Sequence, residues 1–291
     1  MSIQKIINIA IKSNHHHRPI LTDVLFKKNE QHKPLVIFCH GYKGYKDWGA
    51  WNHVADALVN QNMFFVKFNF SHNGGTVEEP IDFPDLDAFG ENNFILELND
   101  LEDTIEWILK NPIFNSEIDP DNIILIGHSR GGGIVAIKAS EHPKITGLIT
   151  WSGLSDFGAR FPKENQLLEW KEKGIAYALN SRTNQQMPHL FQFYQNFKEH
   201  EKRLTIQNAI EKLTIPHLII HGELDDVVLV EEAKKMHRWN SNSELILIDQ
   251  MNHAMGNTQP WKNFKMPQHL EMVVQKSIHF ILKNTTKNKQ R

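Results

Sequence analysis

The five residues Gly127-His128-Ser129-Arg130-Gly131 carry the sharpest chemical pattern in this chain. They follow the apolar run Ile123–Ile126 and precede a helix-compatible run from Gly132 to Ala139. A serine between strand and helix sits on a tight turn that pushes its hydroxyl out of the sheet. Small residues two positions to either side leave that turn the space it needs. The helix N-terminus behind it favours negative charge near the serine. The pattern therefore predicts Ser129 as a nucleophile.

Such a serine needs a base, and the base needs an orienting acid. Their expected chain order behind this kind of turn is serine, acid, histidine. After the run ending at Ile220 comes His221-Gly222-Glu223-Leu224-Asp225-Asp226-Val227-Val228, and after Ile248 comes Gln250-Met251-Asn252-His253-Ala254. Both lie just past strand carboxyl ends, where sites collect in open α/β sheets. His253, the only one of 17 histidines in the turn after the last strand, is the expected base. Asp225 is the preferred acid, because Gly222 opens the turn and Val227-Val228 begin the next apolar stretch. Asp226 reads as a helix N-terminal residue complementing the dipole, and Asp156, just after Leu148–Trp151, is an outside candidate. The charge developing on a substrate oxygen needs donors. The backbone N–H of Arg130 is one, and that of Tyr42, in His40-Gly41-Tyr42-Lys43-Gly44, is the other. Gly41 lets the backbone come close, and His40 is read as fixing that loop rather than as a base.

The elements that must hold these residues are legible as short apolar runs. Leu35–Cys39, Phe64–Phe70, Ile123–Ile126, Leu148–Trp151, His217–Ile220 and Leu245–Ile248 are too short for helices and rich in Ile, Val or Phe. They read as strands buried on both faces. Between them, Phe94, Leu98, Leu101, Ile105 and Ile108 form a helical stripe closed by Asn111-Pro112, and Leu270, Val273, Val274, Ile278 and Ile281 form another. The alternation predicts an α/β fold with a doubly wound, mostly parallel sheet. The runs Ile6–Ile11 and Ile20–Phe26, joined by a polar turn, predict an N-terminal antiparallel hairpin at one sheet edge. From Asp156 to Leu213 no strand-like run appears, and aromatic residues including Trp170, Tyr177, Phe191, Phe193 and Tyr194 gather there. The expected organisation is a core of residues 1–155 and 214–291 with a helical cap, 156–213, in which Phe191 and Tyr194 face the substrate.

Composition narrows the partners. The 32 basic and 34 acidic side chains leave a formal charge of −2, with no electrostatic footprint for nucleic acid or an anionic membrane. No apolar run approaches the ~20 residues that span a bilayer. Met1 to Ala10 has no extended apolar core, so no secretory signal is read and a cytoplasmic location is expected. Cys39, the single cysteine, lies inside an apolar run and is expected to be a buried strand residue. His15 to His17 lack metal-ligand spacing and read as a polar turn. No cofactor or metal motif is found.

Together, His40-Gly41, Gly127-His128-Ser129-Arg130-Gly131, His221-Gly222-Glu223-Leu224-Asp225 and Asn252-His253 make the chain resemble the α/β-hydrolase superfamily along nearly all its length. Within it, His40-Gly41-Tyr42-Lys43-Gly44-Tyr45-Lys46 looks like the HG(F/Y)xGxK pattern of dienelactone-hydrolase-like and feruloyl (cinnamoyl) esterases. The resemblance implies a serine esterase without cofactor, its pocket roofed by an insertion after the sixth strand. Dienelactone hydrolases use cysteine where this chain has Ser129. Asn69-Phe70-Ser71 stands where relatives often carry Asp, and Leu229 where a proline is common. The expected activity is cleavage of a small-molecule carboxylic ester through an acyl-enzyme. Thioester or amide hydrolysis and acyl transfer would use the same residues, and a ligand-binding protein could be built on the same frame.

Overall fold

Strands form where β-branched and aromatic residues alternate or cluster between turns. The computed structural model describes residues 2–288. Its strands are β1 (Ile3–Ile11), β2 (Ile20–Lys27), β3 (Lys33–Cys39), β4 (Phe64–Phe68), β5 (Ile118–His128), β6 (Ile145–Trp151), β7 (Ile175–Asn180), β8 (Gln185–Leu190), β9 (His217–Gly222) and β10 (Glu244–Ile248). Eight of them make one sheet in the order β1-β2-β4-β3-β5-β6-β9-β10. Only β2 runs against the rest, pairing antiparallel with both β1 and β4. The N-terminal hairpin therefore caps one edge.

The helices are α1 (Trp51–Asn60), α2 (Leu86–Glu91), α3 (Phe94–Lys110), α4 (Arg130–Glu141), α5 (Glu164–Lys173), α6 (Gln192–Glu199), α7 (Glu201–Leu204), α8 (Ile206–Glu211), α9 (Val230–Trp239) and α10 (Gln268–Asn288). In β3, Leu35, Ile37 and Cys39 face one side of the sheet and pack in a core that includes Leu98, Leu101 and Ile105 of α3 and Ile134 of α4. Val36 and Phe38 face the other side, against Val54 and Leu58 of α1 and Leu270 and Val274 of α10. Burying each such side chain contributes about 1.5–3 kcal/mol. Asn93 caps α3, its side chain accepting the Leu96 N–H, and the helix gives way before Pro112. Cys39 is wholly buried, and burial pushes its thiol well up, so it packs as a small apolar group.

Between β6 and β9 the chain departs from an all-helical insertion. It holds α5 to α8, and also the hairpin β7–β8, which forms a separate two-stranded sheet. Its sequence hides the strands. In β7 the small Ala176 and Ala178 alternate with the exposed Tyr177 and Leu179, and β8 carries Pro188, which a strand tolerates only at an edge. Met187 anchors the hairpin in a buried cluster with Tyr45, Phe83 and Phe89.

Candidate functional site

The turn at Ser129 follows from the glycines around it. Ser129 has φ 56° and ψ −120°, a left-handed conformation that costs a side-chain-bearing residue free energy. A Cβ on Gly131 would lie 2.5 Å from the Cys39 carbonyl oxygen, so only glycine lets α4 pass so close to β3. The Ser129 carbonyl accepts the Gly132 N–H at 3.0 Å and the Leu154 N–H at 3.1 Å, which locks the turn.

Asp225 and His253 come from neighbouring strands that run parallel, and their loops are tied together. The Leu224 N–H donates to Met251 O at 3.1 Å, and the Glu223 N–H to Ile248 O at 3.0 Å. Across that junction His253 Nδ1 stands 2.8 Å from Asp225 Oδ2, and His253 Nε2 stands 3.0 Å from Ser129 Oγ. Burial alone would raise the Asp225 carboxyl. The hydrogen bonds from His221 and His253, the His253 charge and the Val228 N–H overcome it and hold the group far below the usual carboxylate range. Ionised Asp225 accepts a hydrogen bond from His253 Nδ1–H, which leaves Nε2 to accept one from the Ser129 hydroxyl. The alternatives sit elsewhere. Asp226 is exposed, and Asp156, also exposed, accepts the Ala159 N–H within its own turn.

The loop carrying Tyr42 comes up against Ser129. A Cβ on Gly41 would lie 2.8 Å from Ser129 Cβ, so the loop carrying Tyr42 touches the serine. Neither the Tyr42 nor the Arg130 N–H has an acceptor among the described residues. The His40 ring holds this loop, with Nδ1 donating to Gly41 O at 2.9 Å and Nε2 accepting the Phe70 N–H at 3.2 Å. Asn69 accepts the Lys46 N–H at 2.7 Å and donates to Pro80 O at 3.0 Å. Lys46 Nζ reaches buried Asp23 at 2.9 Å, where Lys67 joins it at 2.7 Å. Asn69 thus clamps the loop.

A cavity of about 390 Å³ opens beside Ser129. Tyr42, Phe94 and Arg130 line it from the sheet side, and Phe161, Trp170 and Phe193 from the insertion. Phe191 and Tyr194, expected from sequence to face the substrate, pack instead against Trp170 and are not part of the wall. Sequence reasoning missed three participants. Arg130 brings its guanidinium to the cavity wall, donating to buried Glu97 at 3.2 Å. The signal was there: Glu97 lies one helical turn after Phe94, beside the apolar stripe, and a buried carboxylate there needs a cation. His189 lines the cavity and shares a 2.8 Å hydrogen bond with the Tyr42 hydroxyl. His221 Nε2 donates to Val228 O at 2.7 Å and lies 3.4 Å from Asp225 Oδ2, a bracing visible only in three dimensions.

Among the described residues no group of three or more His, Cys, Asp or Glu side chains could hold a metal ion. His16, in the His15–His17 segment, bonds Asp100 at 2.7 Å instead. Nor is any described helix long and apolar enough to cross a membrane.

A model of the alpha/beta hydrolase fold matches residues 89–257, more than half of the chain. The chain belongs to the α/β-hydrolase fold family. As an α/β hydrolase it is similar to the mouse monoacylglycerol lipase ABHD6, at 22% identity over 287 residues, covering 86% of this chain and 79% of the lipase. Its fold is that of the Est1E structure from Butyrivibrio proteoclasticus with ferulic acid bound. The TM-score is 0.71 at 19% identity, over 96% of this chain and 99% of that one. A dienelactone hydrolase from Anabaena variabilis superposes with a TM-score of 0.63 at 15% identity, over 97% of this chain and 98% of the other.

The hydrolase buries several histidines, and that sets a pH limit on its stability. Burial, opposed only in part by local hydrogen bonds, lowers His40 to about 4 and His128 and His217 to about 3. All three are neutral in the fold, but in the unfolded chain they protonate near pH 6.5. The unfolded chain then binds more protons, so these three make stability fall as pH drops from about 6.5 toward 4, by up to about 1.4 kcal/mol per unit per histidine. His16, raised by its bond to Asp100, acts in the other window, its contribution complete below about 6.5 and lost as pH rises above it. Urea midpoints between pH 4.5 and 8 read the slope. A midpoint constant over that range would contradict it.

Proposed function

We propose that this α/β hydrolase cleaves carboxylic esters of small molecules through an acyl-enzyme formed on Ser129. The observation that carries the reading is the continuous hydrogen-bond chain from Ser129 Oγ through His253 to Asp225, open to an apolar cavity. In the first step His253 takes the hydroxyl proton as Oγ bonds to the ester carbonyl carbon. The charge that develops on the carbonyl oxygen lies toward the free N–H groups of Tyr42 and Arg130, and two such donors are worth several kcal/mol. His253 then gives its proton to the departing alcohol. Water, activated by the same ring, releases the acid and restores Ser129. Similarity to a monoacylglycerol lipase and to a structure holding ferulic acid favours an ester as the scissile bond.

The insertion, residues 156–213, acts in this reading as the cap that selects the acyl group. Phe161→Ala is expected to shift the cinnamoyl-to-acetyl ratio of kcat/KM by about 1–3 kcal/mol, because only the longer acyl group reaches that ring. The wild type should turn over acetyl, butyryl and cinnamoyl esters repeatedly. A single slow turnover would indicate a ligand-binding protein instead. A uniform loss of rate in Phe161→Ala, with a large drop in Tm, would make Phe161 a packing residue and remove the cap's selecting role.

A further inference from the structure

Two ionised side chains, Arg130 and Arg160, line the cavity beside Ser129, and among the described residues no carboxylate does. Arg160 is committed at the mouth, donating to Val227 O at 3.0 Å and pairing with Glu232. Arg130 lies deeper, its side chain 12% exposed. Among the described residues only one of its five N–H donors is matched, by Glu97 Oε1 at 3.2 Å. Its other neighbours are ring faces. The Tyr42, Phe94 and Phe193 centroids stand 4.6, 5.4 and 5.4 Å from Cζ. Rings attract the cation but accept none of its hydrogen bonds in the guanidinium plane.

Glu97 is an incomplete counter-ion. Burial pushes its carboxyl up, Asn92 shares the same Oε1 at 2.8 Å, and Oε2 has no partner. His189, on the same wall, adds no negative charge. Burial and the Arg130 cation push it down to about 3, so it stays neutral. A guanidinium with spare donors in a largely apolar wall matches a carboxylate in charge and in forked geometry. Holding it there without such a partner costs free energy that a hydrocarbon acyl group would not return.

We propose that the Arg130 side chain reads a carboxylate at the far end of the acyl chain, so that the preferred substrates are mono-esters of dicarboxylic acids. This rests on the ester-hydrolase reading. The chemistry at Ser129 is unchanged. Ester plus water gives the alcohol and the free dicarboxylate with one proton released, and the carboxylate at Arg130 takes no part in bond making.

The test compares 4-nitrophenyl hydrogen glutarate with its methyl ester, 4-nitrophenyl methyl glutarate, which has the same chain without the charge. Wild type is expected to favour the acid by roughly 10- to 100-fold in kcat/KM, the range of a charged hydrogen bond. That ratio should fall to one or below in Arg130→Met, remain intermediate in Arg130→Lys, and rise in Glu97→Gln, where the competing carboxylate is gone. A wild-type ratio at or below one, or a ratio unchanged by Arg130→Met, overturns the proposal. If Arg130→Met does not fold, the opposite shifts in Arg130→Lys and Glu97→Gln decide it. Calorimetry on Ser129→Ala with ethyl hydrogen glutarate and ethyl methyl glutarate reads the same preference without turnover. Absence of wild-type turnover on every ester would therefore sink the hydrolase reading alone. Equal binding of the two esters would sink the carboxylate reading alone.

Discussion

Ser129→Ala is expected to lower kcat for 4-nitrophenyl butyrate by about a million-fold, the loss seen when a serine hydrolase is stripped of its nucleophile. The fold should survive. Ser129 takes a left-handed turn because the backbone is held there by the Gly132 and Leu154 N–H groups, and alanine keeps those bonds. The hydroxyl itself has one partner, His253 Nε2 at 3.0 Å, so its removal leaves no buried donor stranded. The expected result is a variant with the wild-type Tm and no turnover above background. Retention of more than about a thousandth of the rate, well above what triad removal leaves, would place the nucleophile elsewhere.

Asp225→Asn is expected to cost about four orders of magnitude, as with the orienting acid of serine proteases, because an amide cannot fix the tautomer that leaves Nε2 of His253 free to accept. The Val227 and Val228 N–H groups already donate to Oδ1 of this carboxylate, and the His221 ring lies 3.4 Å from Oδ2. They would hold an asparagine in place with its NH2 turned toward His253, the wrong polarity for the ring. Asp226→Asn, one residue on and exposed, with no bond to Ser129 or His253, should leave the rate near that of the wild type and the stability within about half a kcal/mol. The two variants differ only in which neighbour loses its charge, so their ratio is the measurement. Equal losses, or a larger one in Asp226→Asn, would contradict the assignment.

The parallel sheet was legible because its strands are buried on both faces, as Leu35–Cys39 and Phe64–Phe68 are, and such runs have no helical reading. Ser129, Asp225 and His253 were legible as candidates because each stands in the turn after a strand. The hairpin β7–β8 was not. Its inward face is the small Ala176 and Ala178, its outward face is exposed, and Pro188 argues against a strand until the edge is seen. Which aromatics face the cavity was also beyond reach, since Phe191 and Phe193 differ by two positions and only the start of α6 decides between them. Leu229 shows a departure that costs little. It precedes α9 with φ −61°, the angle a proline would hold, and it is exposed.

The central claim is that Ser129 is the activated nucleophile of this α/β hydrolase, and its reaction with a fluorophosphonate tests it most directly. Intact-mass spectrometry should show one phosphonyl group per chain, tandem spectra should place it on Ser129, and His253→Ala should abolish the labelling. An adduct on any other serine, or labelling that persists without His253, would contradict the account.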